Sequence, residues 1–135
     1  RIEMVIQNYL SNAIKHAFIN STIKIKIKEN EFSIENKGKQ IDENRMDSIW
    51  ESFVSDDQKG TGLGLAIVRN ILELHEMSYG VYNLQGGVEF YFRWKKWKPF
   101  LLKRVIESLK KSSFFHKLVP FNEKKAYNSH CLKER

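Results

Sequence analysis

Three glycines at alternate positions open a segment whose residue types suit the binding of phosphate. The segment, Gly60-Thr61-Gly62-Leu63-Gly64-Leu65, runs directly into a stretch with helical spacing. Glycines let backbone N–H groups approach a ligand closely, and the start of a helix adds partial positive charge. The dinucleotide pattern is excluded because Leu65 and Ala66 stand where its later glycine belongs, and no Gly-Lys-Ser/Thr of a Walker loop follows. The segment therefore predicts a loop that binds a polyphosphate, with a flexible surface loop as the alternative.

A second set of polar residues lies near the start of the chain. Asn8, Asn12 and Lys15 recur at steps of four and three, so a helix places them on one polar side, with His16 at the edge of the apolar stripe. An Asn oxygen can ligate Mg²⁺, and a Lys one turn further on can reach a phosphate. Taken alone, the same residues also fit an ordinary solvated helix face.

The elements that position these residues follow from hydrophobic periodicity. Residues 2–17 have apolar positions at three- and four-residue steps, which predicts an amphipathic helix. Strict alternation over 23–28 predicts a strand, and Glu29-Asn30 is a two-residue turn into a partner strand around Phe32 and Ile34.

The second half of residues 1–94 is predicted to contain further helices and strands. A short helix is predicted around Arg45–Phe53 and a longer one from Leu63 to His75, followed by strands over 81–84 and 88–94. A Gln85-Gly86-Gly87 turn joins those two strands. These elements predict helices layered on one face of a mixed sheet.

Composition restricts the class of protein. The chain has 135 residues, 41% of them hydrophobic, which fits one globular domain. We see no signal peptide and no apolar run of about 20 residues, so this piece is expected to be soluble. A single cysteine, Cys131, excludes an internal disulfide framework and fits the reducing cytoplasm.

The net charge of +7 belongs to the end of the chain. Residues 95–135 hold 12 Lys/Arg and 3 Asp/Glu, a net of +9, which leaves −2 for residues 1–94. A nucleic-acid footprint over the whole domain is therefore not supported. Pro99 marks a boundary, and residues 100–111 predict a short basic amphipathic helix. This tail either forms a poorly ordered extension or lies weakly on a membrane or a partner helix.

Four motifs in register resemble the histidine kinase branch of the GHKL ATPases. Residues 8–16 look like its N box, 34–41 its G1 box, 50–53 its F box and 60–75 its G2 box. The resemblance covers residues 2–94 and implies a Bergerat-type fold, an α/β (α+β) two-layer sandwich that binds ATP and Mg²⁺. It also implies that the chain lacks the family's first strand and its dimerisation domain with the phospho-accepting histidine.

The resemblance assigns roles by position. Asn12 would ligate Mg²⁺ and Lys15 would contact a phosphate, while His16 stands where the family often has an aromatic residue. At the other end of the nucleotide, Asn36 would face the adenine amino group. The remaining contacts implied are Gly38 and Ile41 at the base, Phe53 at the foot of the ATP lid, and Gly60, Thr61, Gly62, Leu63, Gly64 and Leu65 at the phosphates.

Four positions depart from the family or divide it. Asn8 stands where hydrolysing relatives carry a glutamate that activates water, and an amide cannot take that proton. Asn36 and Gln40 replace the Asp and the second Gly of the G1 box, which weakens the bond to adenine. The lid lacks its usual arginine, for which Lys59 can substitute only as a point charge.

Two functions from different classes are therefore predicted. The first is the ATP-binding catalytic domain of a two-component sensor histidine kinase, which delivers the γ-phosphate to a histidine on another domain or chain, with a response regulator downstream. The alternative is a degenerate module that docks on a kinase dimerisation domain without transferring phosphate. His75 is interpreted as structural, at a helix C-terminus, and nothing is assigned to His116 or His130.

Overall fold

The computed structural model describes residues 1–53 and 62–95, the helical positions 103, 104, 107, 108 and 111, and the backbone of 125–128. Its elements are α1 (Ile2–His16), β1 (Ser21–Lys28), β2 (Glu31–Lys37), two 3-10 turns (Glu43–Arg45 and Ser48–Trp50), α2 (Gly64–Leu74), β3 (Ser78–Leu84), β4 (Gly87–Arg93) and β5 (Lys125–Asn128).

The strands form one mixed sheet with the order β3-β4-β2-β1-β5. The first four strands pair antiparallel, and β5 pairs with β1 in parallel. The sheet is covered by α1 and α2, whose buried faces belong to the same core as its apolar residues. The predicted two-layer α/β sandwich with a mixed sheet is confirmed.

Strand alternation builds the core from one side of the sheet. Register pairs Ile27 with Phe32 and Phe32 with Phe92, so that these side chains lie on the same face. All three are at most 1% exposed. Burying one such side chain stabilises the fold by about 1.5–3 kcal/mol.

Tyr9 joins α1 to this core. Its ring lies 5.3 Å from Phe90 and 6.3 Å from Phe92, measured between ring centroids. Its hydroxyl donates a hydrogen bond of 3.0 Å to the carbonyl oxygen of Tyr91 in β4. Burial raises the pKa of the Tyr9 hydroxyl well above its ordinary value, so that it stays protonated as a donor.

The opposite face of the sheet is polar. Lys26 donates hydrogen bonds to Glu35 at 3.0 Å and to Glu89 at 3.2 Å, which links three adjacent strands. Burial disfavours the charge of Lys26, but the bonds to Glu35 and Glu89 outweigh it and raise the pKa.

Two predictions of local structure are wrong. The helix predicted around Arg45–Phe53 is reduced to two short 3-10 turns, where the Ser48 hydroxyl donates to the carbonyl oxygen of Arg45 at 3.2 Å. The last hairpin turn has two residues rather than three. Gly86 takes a left-handed φ of 78°, and Gly87 already belongs to β4, paired with Lys37.

The tail contains one element that was not predicted, β5, which pairs through Ser21–Lys24 of β1. Pro99, Trp97, His116, His130 and Cys131 lie outside the described residues, and so does much of the helix predicted over 100–111. None of the helices in the described part of the chain is long and apolar enough to cross a membrane.

Candidate functional site

A cavity of about 350 Å³ lies between the helices and the sheet. Its size is within the range of small-molecule sites, roughly 300–1,000 Å³. Its wall comes from α1, β2, β4, the segment after β2 and the start of α2. The lining residues are Asn8, Ser11, Asn12, Lys15, His16, Asn36, Lys39, Gln40, Ile41, Asp42, Arg45, Ile49, Gly62, Gly64, Leu65, Val88 and Phe90.

One wall is the polar side of α1. Asn8, Asn12, Lys15 and His16 all line the cavity, joined by Ser11. The apolar stripe of α1 is buried against the core, which turns this set toward the cavity. The side-chain amide of Asn8 donates to the carbonyl oxygen of Met4 at 2.8 Å, one turn back along the helix.

The sheet side of the cavity contains a buried amide. Asn36 is 2% exposed and lies between Ile23 and Val88 in the register of the sheet. Its Nδ2 donates one long hydrogen bond, 3.3 Å, to the carbonyl oxygen of Lys37. No described residue supplies a partner for its Oδ1. A buried polar atom without a partner is uncommon, which marks Asn36 as a position for a ligand.

The segment after β2 is fastened to the β3–β4 hairpin. The Gly38 N–H donates to the Gly86 carbonyl at 3.0 Å, and the Gln40 amide donates to the Leu84 carbonyl. Ile41 is held twice by the side chain of Asn83. Asn83 Oδ1 accepts from the Ile41 N–H at 2.9 Å, and its Nδ2 donates to the Ile41 carbonyl at 2.7 Å. These bonds fix Ile41 in the cavity wall.

The start of α2 closes the opposite end of the cavity. Gly62, Gly64 and Leu65 line it. The first turn of α2 has no acidic residue and no side-chain cap, so its leading N–H groups are available to an anion. Gly64 lies close to α1, since a Cβ added there would be 2.9 Å from Asn8 Oδ1. The start of α2, where phosphate binding is predicted, and the side of α1 that carries the predicted magnesium ligand therefore meet.

Other predicted site residues have different places. The Phe53 side chain is 79% exposed and does not line the cavity, but its N–H donates to the Gly62 carbonyl at 2.7 Å. Leu63 and Gly38 are also absent from the wall, and Leu63 is the residue that precedes α2. Lys59, Gly60 and Thr61 lie outside the described residues. His75 follows α2, and its Nδ1 lies 2.8 Å from the Ile71 carbonyl.

The charge of the wall suits a polyanion. Among the described lining residues are three basic side chains, Lys15, Lys39 and Arg45, against one carboxylate, Asp42. Sequence reasoning missed Arg45 and Asp42, which no local pattern brings toward Asn12. It also missed Ser11, although three residues from Asn8 and four from Lys15 is a visible helical spacing.

The donors present fit Mg²⁺ only together with a phosphate ligand. No cluster of three or more His, Cys, Asp or Glu among the described residues could hold a metal ion. Asn12 offers an amide oxygen in the wall. Because Mg²⁺ is commonly bound through one or two protein oxygens plus substrate phosphates, Asn12 would hold it when a nucleotide triphosphate is present.

Sensor kinases are among the proteins to which the chain is similar. Among curated proteins, the chain is 32% identical over 94 residues to a sensor histidine protein kinase, HK06, of Streptococcus pneumoniae, covering 66% of this chain and 21% of that protein. It is 38% identical over 102 residues to the sensor protein KdpD of Clostridium acetobutylicum, covering 67% and 11%. The chain thus spans about a fifth or less of these relatives.

Solved structures show the same fold. The nucleotide-free catalytic domain of the histidine kinase ThkA matches with a TM-score of 0.63 at 35% identity, covering 68% of this chain and 64% of that one. Full-length ShkA in complex with AMPPNP matches with a TM-score of 0.56 at 29% identity, covering 66% and 20%.

A family model matches most of the chain, from residue 1 to residue 98. That range contains every described residue of the cavity wall. The chain therefore belongs to the histidine kinase-, DNA gyrase B- and HSP90-like ATPase family, and its relatives include sensor histidine kinases.

Proposed function

We propose that this domain binds ATP with Mg²⁺ in the cavity and delivers the γ-phosphate to a histidine on another domain or chain. The observation that carries the proposal is the meeting of the α1 amides, the buried Asn36 and the open start of α2 around one cavity. The base would lie against Asn36 and Ile41, and the phosphates against Lys15 and the start of α2.

The residues of the wall would act mainly by position and charge. Phosphoryl transfer requires the phosphates to be held and their charge to be stabilised, with little covalent chemistry from the protein. The Lys15 ammonium and the N–H groups of Gly64 and Leu65 supply such donors. Bound Mg²⁺ would neutralise phosphate charge, with Asn12 as its protein ligand.

Transfer is favoured over hydrolysis by the shortage of a general base. Asp42 is the one carboxylate among the described lining residues, and it belongs to the segment after β2 rather than to α1. On α1, Asn8 presents an amide, which cannot take a proton from water. A phospho-accepting histidine would come from a dimerisation domain, and a response regulator would receive the phosphate from it. We place this activity in the cytoplasm, where ATP is available.

The test is calorimetric titration of the chain with ATP in the presence and absence of Mg²⁺. We expect saturable binding that requires Mg²⁺ and is lost in Asn12→Ala. The matched control is Asn70→Ala, which makes the same change at an exposed helical position outside the cavity wall. Equal ATP affinity of Asn12→Ala and Asn70→Ala would refute the assignment of Asn12.

Phosphate transfer needs a second assay. The chain is mixed with labelled ATP and an isolated dimerisation domain of a sensor kinase, and acid-labile label on that domain is measured. Label on the acceptor supports the proposal. Binding of ATP without transfer to any acceptor tested, together with binding to the acceptor, would favour the alternative of a docking module that transfers no phosphate.

A further inference from the structure

The buried amide of Asn36 gives one end of the cavity a group that can hydrogen-bond a purine either as acceptor or as donor. Asn36 is the one polar side chain in the described wall that is more than nine-tenths buried. Its backbone is fixed in the sheet by pairing on both sides, with β1 and with β4. The freedom that remains lies in the side chain, where half a turn about χ2 exchanges Oδ1 and Nδ2.

Little holds the amide in one orientation. It is held by the 3.3 Å bond from Nδ2 to the Lys37 carbonyl oxygen, which is longer than the usual 2.9–3.0 Å. A full exchange would set Oδ1 against the Lys37 carbonyl oxygen, whereas a smaller turn can present either Oδ1 or the second hydrogen of Nδ2, which no described residue accepts. A carboxylate at this position would offer two acceptors in either orientation.

The two orientations complement different bases. With Oδ1 toward the ligand, the amide accepts from the 6-amino group of adenine. With Nδ2 toward the ligand, it donates to the 6-oxo group of hypoxanthine or guanine.

We infer that the site accepts 6-oxopurine nucleoside triphosphates as well as ATP, with Asn36 as the residue that determines this specificity. The inference rests on the proposed function, since it requires a nucleotide in this cavity. A site built to hydrogen-bond one functional group of a ligand discriminates against an analogue without that group by a factor of roughly 10⁴–10⁵, because a buried polar group of the site is then left unpaired. An amide that can act either as donor or as acceptor avoids that loss.

The test compares nucleotides that differ at position 6. The full chain is titrated with ATP, ITP, GTP and UTP, each with excess Mg²⁺. ATP and ITP differ in the groups around position 6 only, and we expect their Kd values to agree within about tenfold. UTP, which lacks a purine, should bind at least about tenfold more weakly than ATP.

Each outcome separates the inference from the proposed function. ATP binding with ITP and GTP more than about a hundredfold weaker overturns the inference and leaves the function intact. Equal binding of UTP also overturns it, because the base is then not read. Failure of every nucleotide to bind a folded chain overturns the proposed function, and the inference with it.

A substitution identifies Asn36 as the cause. Asn36→Asp keeps the shape of the side chain but removes its donor, so the ATP-to-ITP preference should rise at least about tenfold. Ser33→Ala is the control, since Ser33 is equally buried in β2 but does not line the cavity. An unchanged preference in a folded Asn36→Asp chain overturns the role of Asn36. If Asn36→Asp does not fold, the wild-type series still decides the inference.

Discussion

The two hydrogen bonds between the Asn83 side chain and the Ile41 backbone allow a quantitative test of how the Ile41 end of the cavity is held. Asn83→Ala removes two hydrogen bonds, of 2.9 and 2.7 Å. A neutral hydrogen bond contributes about 0.5–1.5 kcal/mol net, so the pair is expected to contribute about 1–3 kcal/mol. The Ile41 N–H and carbonyl are then left to water or to no partner.

The loss can appear in two measurements. If the segment detaches in the free variant and is ordered again by the ligand, the ATP affinity falls by about tenfold for each 1.4 kcal/mol. If it stays attached with its backbone hydrated, the loss appears as lower stability in urea instead. Calorimetry with ATP and urea unfolding of the same variant together should account for the 1–3 kcal/mol.

The refuting result is clear for this substitution. Unchanged ATP affinity together with an unchanged urea midpoint would show that Asn83 does not hold Ile41. Asn70→Ala provides the control for the chemical change itself, because Asn70 is exposed on α2. Its effect on both quantities should stay within about 0.5 kcal/mol.

Three further predictions concern the sheet. Gly87→Ala would place a Cβ against a β2 carbonyl oxygen and should lower the free energy of unfolding, measured in urea, by about 2 kcal/mol or more. Gly86→Ala meets no atom within 4 Å and costs only its left-handed φ, about 1 kcal/mol; the reverse order would contradict the packing. Burial and the bond to Glu73 raise the pKa of Tyr79 to about 12. The unfolded chain therefore loses this proton first, near pH 10, and the stability that the protonated Tyr79 contributes below pH 10 is lost as the pH rises to 12. Tyr79→Phe should therefore make the melting temperature fall less steeply between pH 10 and pH 12. Lys26→Met leaves the facing carboxylates of Glu35 and Glu89 without their cation and should lower the free energy of unfolding by about 1–2 kcal/mol at pH 7. Adding Glu89→Gln should restore most of that stability. If it restores none, repulsion between the carboxylates is excluded as the cause.

Local patterns predicted the elements well. The alternation of Ile23 and Ile27 with lysines is a signal contained within one strand, and the β1–β2 hairpin follows directly from it. In the same way the spacing of Asn8 and Asn12 defines a face of α1 without knowledge of any neighbour. These features depend on neighbours in sequence, where periodicity carries the information.

Features that join distant segments could not be predicted. The pairing of β2 with β4 places Val88 opposite Asn36 and Phe90 opposite Ile34, across about fifty residues of chain. The hydrogen bonds of Asn83 to Ile41 could not be predicted, because an Asn in a strand can equally well face solvent. Such contacts depend on the closed tertiary structure, which single-sequence patterns do not encode.

The Tyr9 hydroxyl has a consequence for how α1 is oriented. An all-hydrocarbon stripe can pack on a sheet at several angles of rotation with nearly equal burial, whereas a hydrogen bond to one carbonyl, that of Tyr91, is satisfied at a single angle. A turn of one residue about the helix axis, 100°, would break this bond and carry Asn12 and Lys15 out of the cavity wall. Tyr9 thus fixes the rotation of α1 about its axis, so that the polar side of a buried helix faces the cavity at one defined angle.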